Sequence, residues 1–126
     1  MKQKSLTFYE LLGEEVIHVI VNRFYVKVFE NVTLNPLFKN SKIDAVKDKQ
    51  FSFLCQFLGG PQYYSEKYGP PKMRMRHLPH AIDNKAKEEW LKCMHEAIHE
   101  TIADKQLATA LYNCFPKLAN HMVNRS

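Results

Sequence analysis

An all-α protein is predicted by three features of this 126-residue chain. Apolar residues recur at spacings of three and four, the period that lines one side of a helix. No stretch alternates apolar with polar residues as a half-buried strand does. Glycines and prolines stand between the periodic segments, at Gly13, Gly59-Gly60-Pro61, Gly69-Pro70-Pro71 and Pro79, where helices stop. The length suits one domain over residues 1–126, long enough to bury a core and too short for two.

Ser5 or Thr7 can cap a short first helix through Leu11-Leu12, ended by Gly13, and Glu14-Glu15 opens the second in the first turn, where acids are favoured. Ile17, Ile20, Phe24 and Val28 mark its buried side; it is expected to run to about Val32, with Pro36 stopping any continuation. Ile43, Val46, Phe53, Leu54 and Phe57 define the apolar side of a third helix, terminated by Gly59-Gly60-Pro61. Gln62 to Pro71 reads as a loop, followed by a helical turn from Lys72 to Leu78 that Pro79 ends. Asp83 or Asn84 caps the next helix, which carries Trp90, Leu91, Met94, Ala97, Ile98 and Thr101 on one side. Leu107, Leu111, Phe115, Leu118 and Met122 belong to a last helix that Pro116 should kink or split.

Composition excludes several classes. Apolar residues make up 45% and charged residues 25%, the mix of an ordinary globule. The basic N-terminus has no apolar stretch of signal-peptide length behind it, and the run from Val16 to Val21 is far short of a membrane span, so a soluble cytoplasmic protein is expected. The 18 basic and 13 acidic side chains leave +5, but they are interspersed along the chain, with no nucleic-acid motif beside them. Cys55, Cys93 and Cys114 lie inside helical patterns without paired spacing, which fits reduced thiols that pack.

Polar residues on otherwise apolar helix sides are the informative exceptions. Gln50 follows Val46 by four and precedes Phe53, Leu54 and Phe57 by three, four and seven, so its amide points to the core side. Tyr25 lies four after Val21 and three before Val28, at the edge of the second helix's buried side. Trp90 begins the apolar stripe of its helix and carries one N–H donor. A core residue with a locally satisfied tip is the ordinary alternative for each. His77, between Arg76 and Leu78-Pro79, ends a short helix and can hold a metal from the side facing these three.

With these residues placed, the chain resembles the group II truncated haemoglobins. Phe24-Tyr25, Phe38 after Pro36, Gln50, Phe57-Leu58-Gly59-Gly60-Pro61, Tyr64-Ser65-Glu66, Arg74-Met75-Arg76-His77-Leu78-Pro79 and Trp90-Leu91-Lys92-Cys93-Met94 follow that family's order and approximate spacing over nearly the whole chain. The resemblance implies a two-over-two helical sandwich around a haem b (iron protoporphyrin IX). His77 would be the proximal iron ligand, Tyr25 and Trp90 the distal donors, with Gln50 behind them and Val46 lining the distal pocket. Phe38 would pack on the porphyrin, Phe24, Phe53 and Leu54 would contribute to its binding, and Arg76 and Tyr64 would meet its propionates. The resemblance also implies a diatomic gas partner (oxygen, nitric oxide or carbon monoxide), with gas binding or sensing as the non-enzyme reading. The enzyme reading is a nitric oxide dioxygenase or weak peroxidase served by a reductase. Two positions depart from the pattern: His80 offers a second imidazole, and Pro116 interrupts the last helix.

A zinc metallohydrolase is the rival, because His95-Glu96-Ala97-Ile98-His99 spells H-E-x-x-H. At about 100° per residue, however, the apolar arc of this helix leaves His95 at its rim and His99 and Glu96 outside it. A third ligand is also wanting: no glutamate follows Glu100, and position 102 is Ile, not the glycine of the extended motif. Exposed helical histidines are the reading preferred here. His18 and His121 are expected to be packing or surface residues.

Overall fold

The computed structural model describes residues 5–77, apart from the Arg74 side chain, and residues 82–124. All regular structure among them is helical: α1 (Phe8–Leu12), α2 (Glu14–Glu30), a 3₁₀ turn (Asn35–Phe38), α3 (Ile43–Phe57), α4 (Tyr63–Tyr68), α5 (Met73–His77), α6 (Asn84–Thr101), α7 (Lys105–Tyr112) and α8 (Pro116–Met122). Among the described residues no helix is long and apolar enough to cross a membrane.

The long helices stack in two pairs. α2 packs on both α3 and α6, and α6 packs in turn on α7 and α8. Of the apolar sides read from the sequence, Ile17, Ile20, Phe24 and Val28 of α2 and Met94, Ala97 and Ile98 of α6 are buried; Val21 and Cys93 join them, while Trp90, Leu91 and Thr101 are half-buried. Phe115 and Leu111 close the far side. This burial is the main stabilising term, since apolar area removed from water contributes about 25 cal/mol per Å².

Boundaries follow local chemistry. Thr7 caps α1 in a reciprocal capping box with Glu10. α2 ends at Glu30, short of Val32, because the Asn31 side chain accepts from the Thr33 and Leu34 N–H groups and turns the chain. Asp83 caps α6 by accepting from the Ala86 N–H, and Asp104 caps α7 by accepting from Gln106 and Leu107. Pro116 splits the final pattern into α7 and α8 and occupies the first turn of α8, where its missing N–H is harmless.

Gly60 must be glycine. A Cβ there would lie 2.8 Å from the Cys55 carbonyl oxygen and still closer to the Tyr9 ring. Gly59, at φ +95°, faces Thr7 in the same way. The pair lets α1 seat directly on the end of α3, where the Tyr9 N–H donates to the Leu58 carbonyl at 3.0 Å.

Two expectations need correction. Residues 63–68, expected as loop, form α4, because Gln56 of α3 accepts from the Ser65 N–H and donates to its hydroxyl while Tyr64 is buried. Ile43 and Phe57, expected on the buried side of α3, are exposed: they stand at its two ends, where no neighbour covers them fully. The expected end of α5 at Leu78-Pro79 lies outside the described residues, as does His80.

Candidate haem and gas site

Between α2, α3, α5, α6 and α8 lies a cavity of about 420 Å³, within the usual range for a small-molecule or cofactor pocket. Nine of the residues singled out in the sequence line it: Tyr25, Phe38, Val46, Gln50, Phe53, Tyr64, Arg76, His77 and Trp90. Two do not. Phe24 and Leu54 are fully buried behind the wall.

His77 enters from α5, which packs on α8, whose Leu118, Ala119 and Met122 line the same side. Its Nδ1 lies 2.6 Å from the Met73 carbonyl oxygen. A carbonyl can only accept, so Nδ1 carries the proton, and in the neutral ring Nε2 keeps the lone pair a metal needs.

Tyr25 and Gln50 come from α2 and α3, and Trp90 from the first half of α6. Phe24 holds two of these rings edge-on, with centroids 4.9 Å from Tyr25 and 5.2 Å from Trp90. Phe38 meets Tyr25 edge-on at 5.9 Å, and Phe115 backs Trp90 at 6.0 Å. Tyr25 is 4% exposed, and burial pushes its hydroxyl well above the ordinary tyrosine range, so at neutral pH it is a donor.

Among the described residues, no protein group hydrogen-bonds the Tyr25 hydroxyl, the Trp90 indole N–H or the Gln50 amide. None of the three is a sealed, unsatisfied polar atom either. They line the cavity, where their polar tips are available to a molecule held there.

The rim is basic. Arg76 lies over the Tyr64 ring, 5.3 Å from its centroid, and donates to the Tyr68 and Pro70 carbonyls at 2.6 and 3.1 Å. Lys49, Lys87 and Ser41 also line the cavity, and sequence reasoning missed all three. Lys49 precedes Gln50 on α3, so its place next to a core-directed amide was the available signal for a rim residue.

The H-E-x-x-H residues lie elsewhere. His95 is exposed and its ring stands 4.3 Å from that of His99, while Glu96 pairs with Lys27 at 3.6 Å. Among the described residues no cluster of three potential metal ligands exists, so none of them gives this pair the third ligand a hydrolytic zinc site needs. His18 is exposed and stacks on Phe51, His121 is exposed, and all three cysteines are free thiols.

Comparison with known proteins agrees with this geometry. The bacterial-like globin family model matches residues 7–124. The chain belongs to that family. Within it the globin is a group II truncated haemoglobin: it is 36% identical over 118 residues to the group 2 truncated hemoglobin YjbI of Bacillus subtilis, covering 94% of this chain and 89% of that one. The crystal structure of the group II truncated hemoglobin from Bacillus anthracis superposes with a TM-score of 0.91 at 35% identity, over 98% of this chain and 95% of that chain. The truncated oxygen-avid haemoglobin of Bacillus subtilis gives 0.88 at 37% identity, over 94% and 100%. The two stacked pairs of the globin are therefore the two-over-two sandwich of the truncated haemoglobins, a family whose members bind haem and diatomic gases. The donor set fits such a cofactor: an imidazole with its Nδ1 already engaged, largely apolar walls and a cationic rim for acidic side groups.

Proposed function

We propose that this globin binds one haem b in the cavity through His77 Nε2 and acts on oxygen or a related gas, nitric oxide or carbon monoxide, at the face toward Tyr25, Trp90 and Gln50. The observation that carries the reading is the pairing of an oriented imidazole with three polar tips that have no partner among the described residues, all lining one cavity. When bound, haem would supply an iron able to hold a diatomic gas and to shift electron density onto it.

The chain's own contribution is to aim donors at that charge. The Tyr25 O–H and Trp90 N–H are preorganised by Phe24, and no bond to a described residue need be broken before they donate. Each contributes about 1–3 kcal/mol when its acceptor carries charge. Gln50 would stand behind as a further amide, Val46 gives the cavity an apolar edge, and Phe38 and Phe53 would pack against the cofactor. Arg76, Tyr64, Lys49 and Lys87 are placed to meet acidic side groups at the rim.

Two donors slow gas release enough to disfavour bulk oxygen transport. Redox chemistry on the gas, as a nitric oxide dioxygenase or weak peroxidase with an external reductase, or gas sensing, fits better. Stopped-flow oxygen release tests the reading: Tyr25→Phe and Trp90→Phe should each speed release about ten- to hundredfold. Release at the unsubstituted rate in both variants would remove the two-donor site.

A further inference from the structure

We propose that Asn124 is a positioning residue for His77, clasping the end of α5 to the start of α6 and so setting where the imidazole stands in the cavity. The proposal rests on His77 being the iron ligand. A five-residue helix leaves its last carbonyls without helical partners. The Asn124 Nδ2–H group donates to the His77 carbonyl at 3.0 Å. Its Oδ1 accepts from the Ile82 N–H at 3.0 Å, and its backbone N–H donates to the Ile82 carbonyl at 2.8 Å. One residue thus bridges the two ends of the segment 78–81 through hydrogen bonds to His77 and Ile82.

What it joins matters. Ile82 lines the cavity, Asp83 beside it caps α6, and α6 carries Trp90. Asn124 itself follows α8, whose Leu118, Ala119 and Met122 line the cavity. The ring of His77 is oriented by the Met73 carbonyl, whereas its backbone is held by Asn124. The first bond sets the tilt of the imidazole and the second its height. A primary amide suits the task because it offers a donor and an acceptor in one short, rigid fork.

The test uses the full-length protein loaded with hemin and reduced. In resonance Raman, Asn124→Ala should shift or broaden the iron–histidine stretching band, and hemin transfer to an acceptor globin should quicken about tenfold. Asn124→Asp keeps an acceptor for Ile82 but turns a second oxygen toward the His77 carbonyl, and should move the band at least as far. Asp104→Ala, which uncaps α7 away from the cavity, serves as the control that lowers thermal stability and leaves the band in place. An unmoved band and unchanged hemin loss in both Asn124 variants would reduce Asn124 to an ordinary structural residue and overturn the proposal. Loss of the band in His77→Gly, restored by free imidazole, is expected; a band that survives that substitution would instead sink the assignment of His77 as ligand.

Discussion

Two walls of one cavity are held by different forces. The wall carrying Tyr25 and Trp90 belongs to α2 and α6, whose facing side chains are buried almost completely, with Phe24, Val28, Met94, Ala97 and Ile98 at 0% exposure. The wall carrying His77 belongs to α5, where none of the described side chains is buried and Met75 is 55% exposed. Packing fixes the first, and hydrogen bonds to backbone groups fix the second: Arg76 reaches the Tyr68 and Pro70 carbonyls before the helix, and Asn124 holds the His77 carbonyl at its end. Donors that must be aimed are therefore built into the rigid core, while the imidazole sits on a short segment able to adjust locally.

That contrast can be broken by substitution. Phe24→Ala opens a hole between Tyr25 and Trp90 and is expected to cost about 3–5 kcal/mol in urea unfolding. Arg76→Ala on the other wall should cost about 1 kcal/mol, with faster amide exchange confined to residues 73–77. Equal losses in the two variants would mean that the walls are not held differently. Tyr25→Phe sharpens the point. It removes a hydroxyl without a partner among the described residues, so the stability of the hemin-free protein should change by less than about 0.5 kcal/mol even as gas release quickens.

The smallest expected effect lies away from both walls. Glu14 accepts from the Tyr9 and Tyr63 hydroxyls, and Asp48 from Tyr68 and Lys67, which holds both carboxyls below their ordinary values. A lowered folded value means that the stabilisation is complete above the ordinary glutamate value of 4.5 and is lost as pH falls through the folded one. Thermal melts on the acid side should fall less steeply in Glu14→Gln than in the unsubstituted protein. Parallel curves would show that the carboxylate is not linked to folding.

The same division of forces decided what the sequence could disclose. The packed wall is written in periodicity: Ile17, Ile20, Phe24 and Val28 stand out at spacings of three and four, and Gln50 and Tyr25 are conspicuous because they interrupt such runs. Pro116 announced the break between α7 and α8. α4 was not legible, because a Tyr-rich stretch flanked by Pro61 and Gly69-Pro70-Pro71 has turn composition, and its helix depends on Gln56 from another element. Lys49 and Lys87 look like solvated lysines until the cavity rim is built. Asn124 gives no sequence signal, since what it does depends on partners 42 and 47 residues away.

The most direct test of the central claim is an absorption titration of the hemin-free protein with hemin, followed by iron and zinc analysis, for the unsubstituted chain and His77→Gly. One equivalent of hemin should saturate the unsubstituted protein and give a Soret band that His77→Gly alters and added imidazole restores. No saturable binding, or the same pigment spectrum with and without the residue 77 ring, would contradict it.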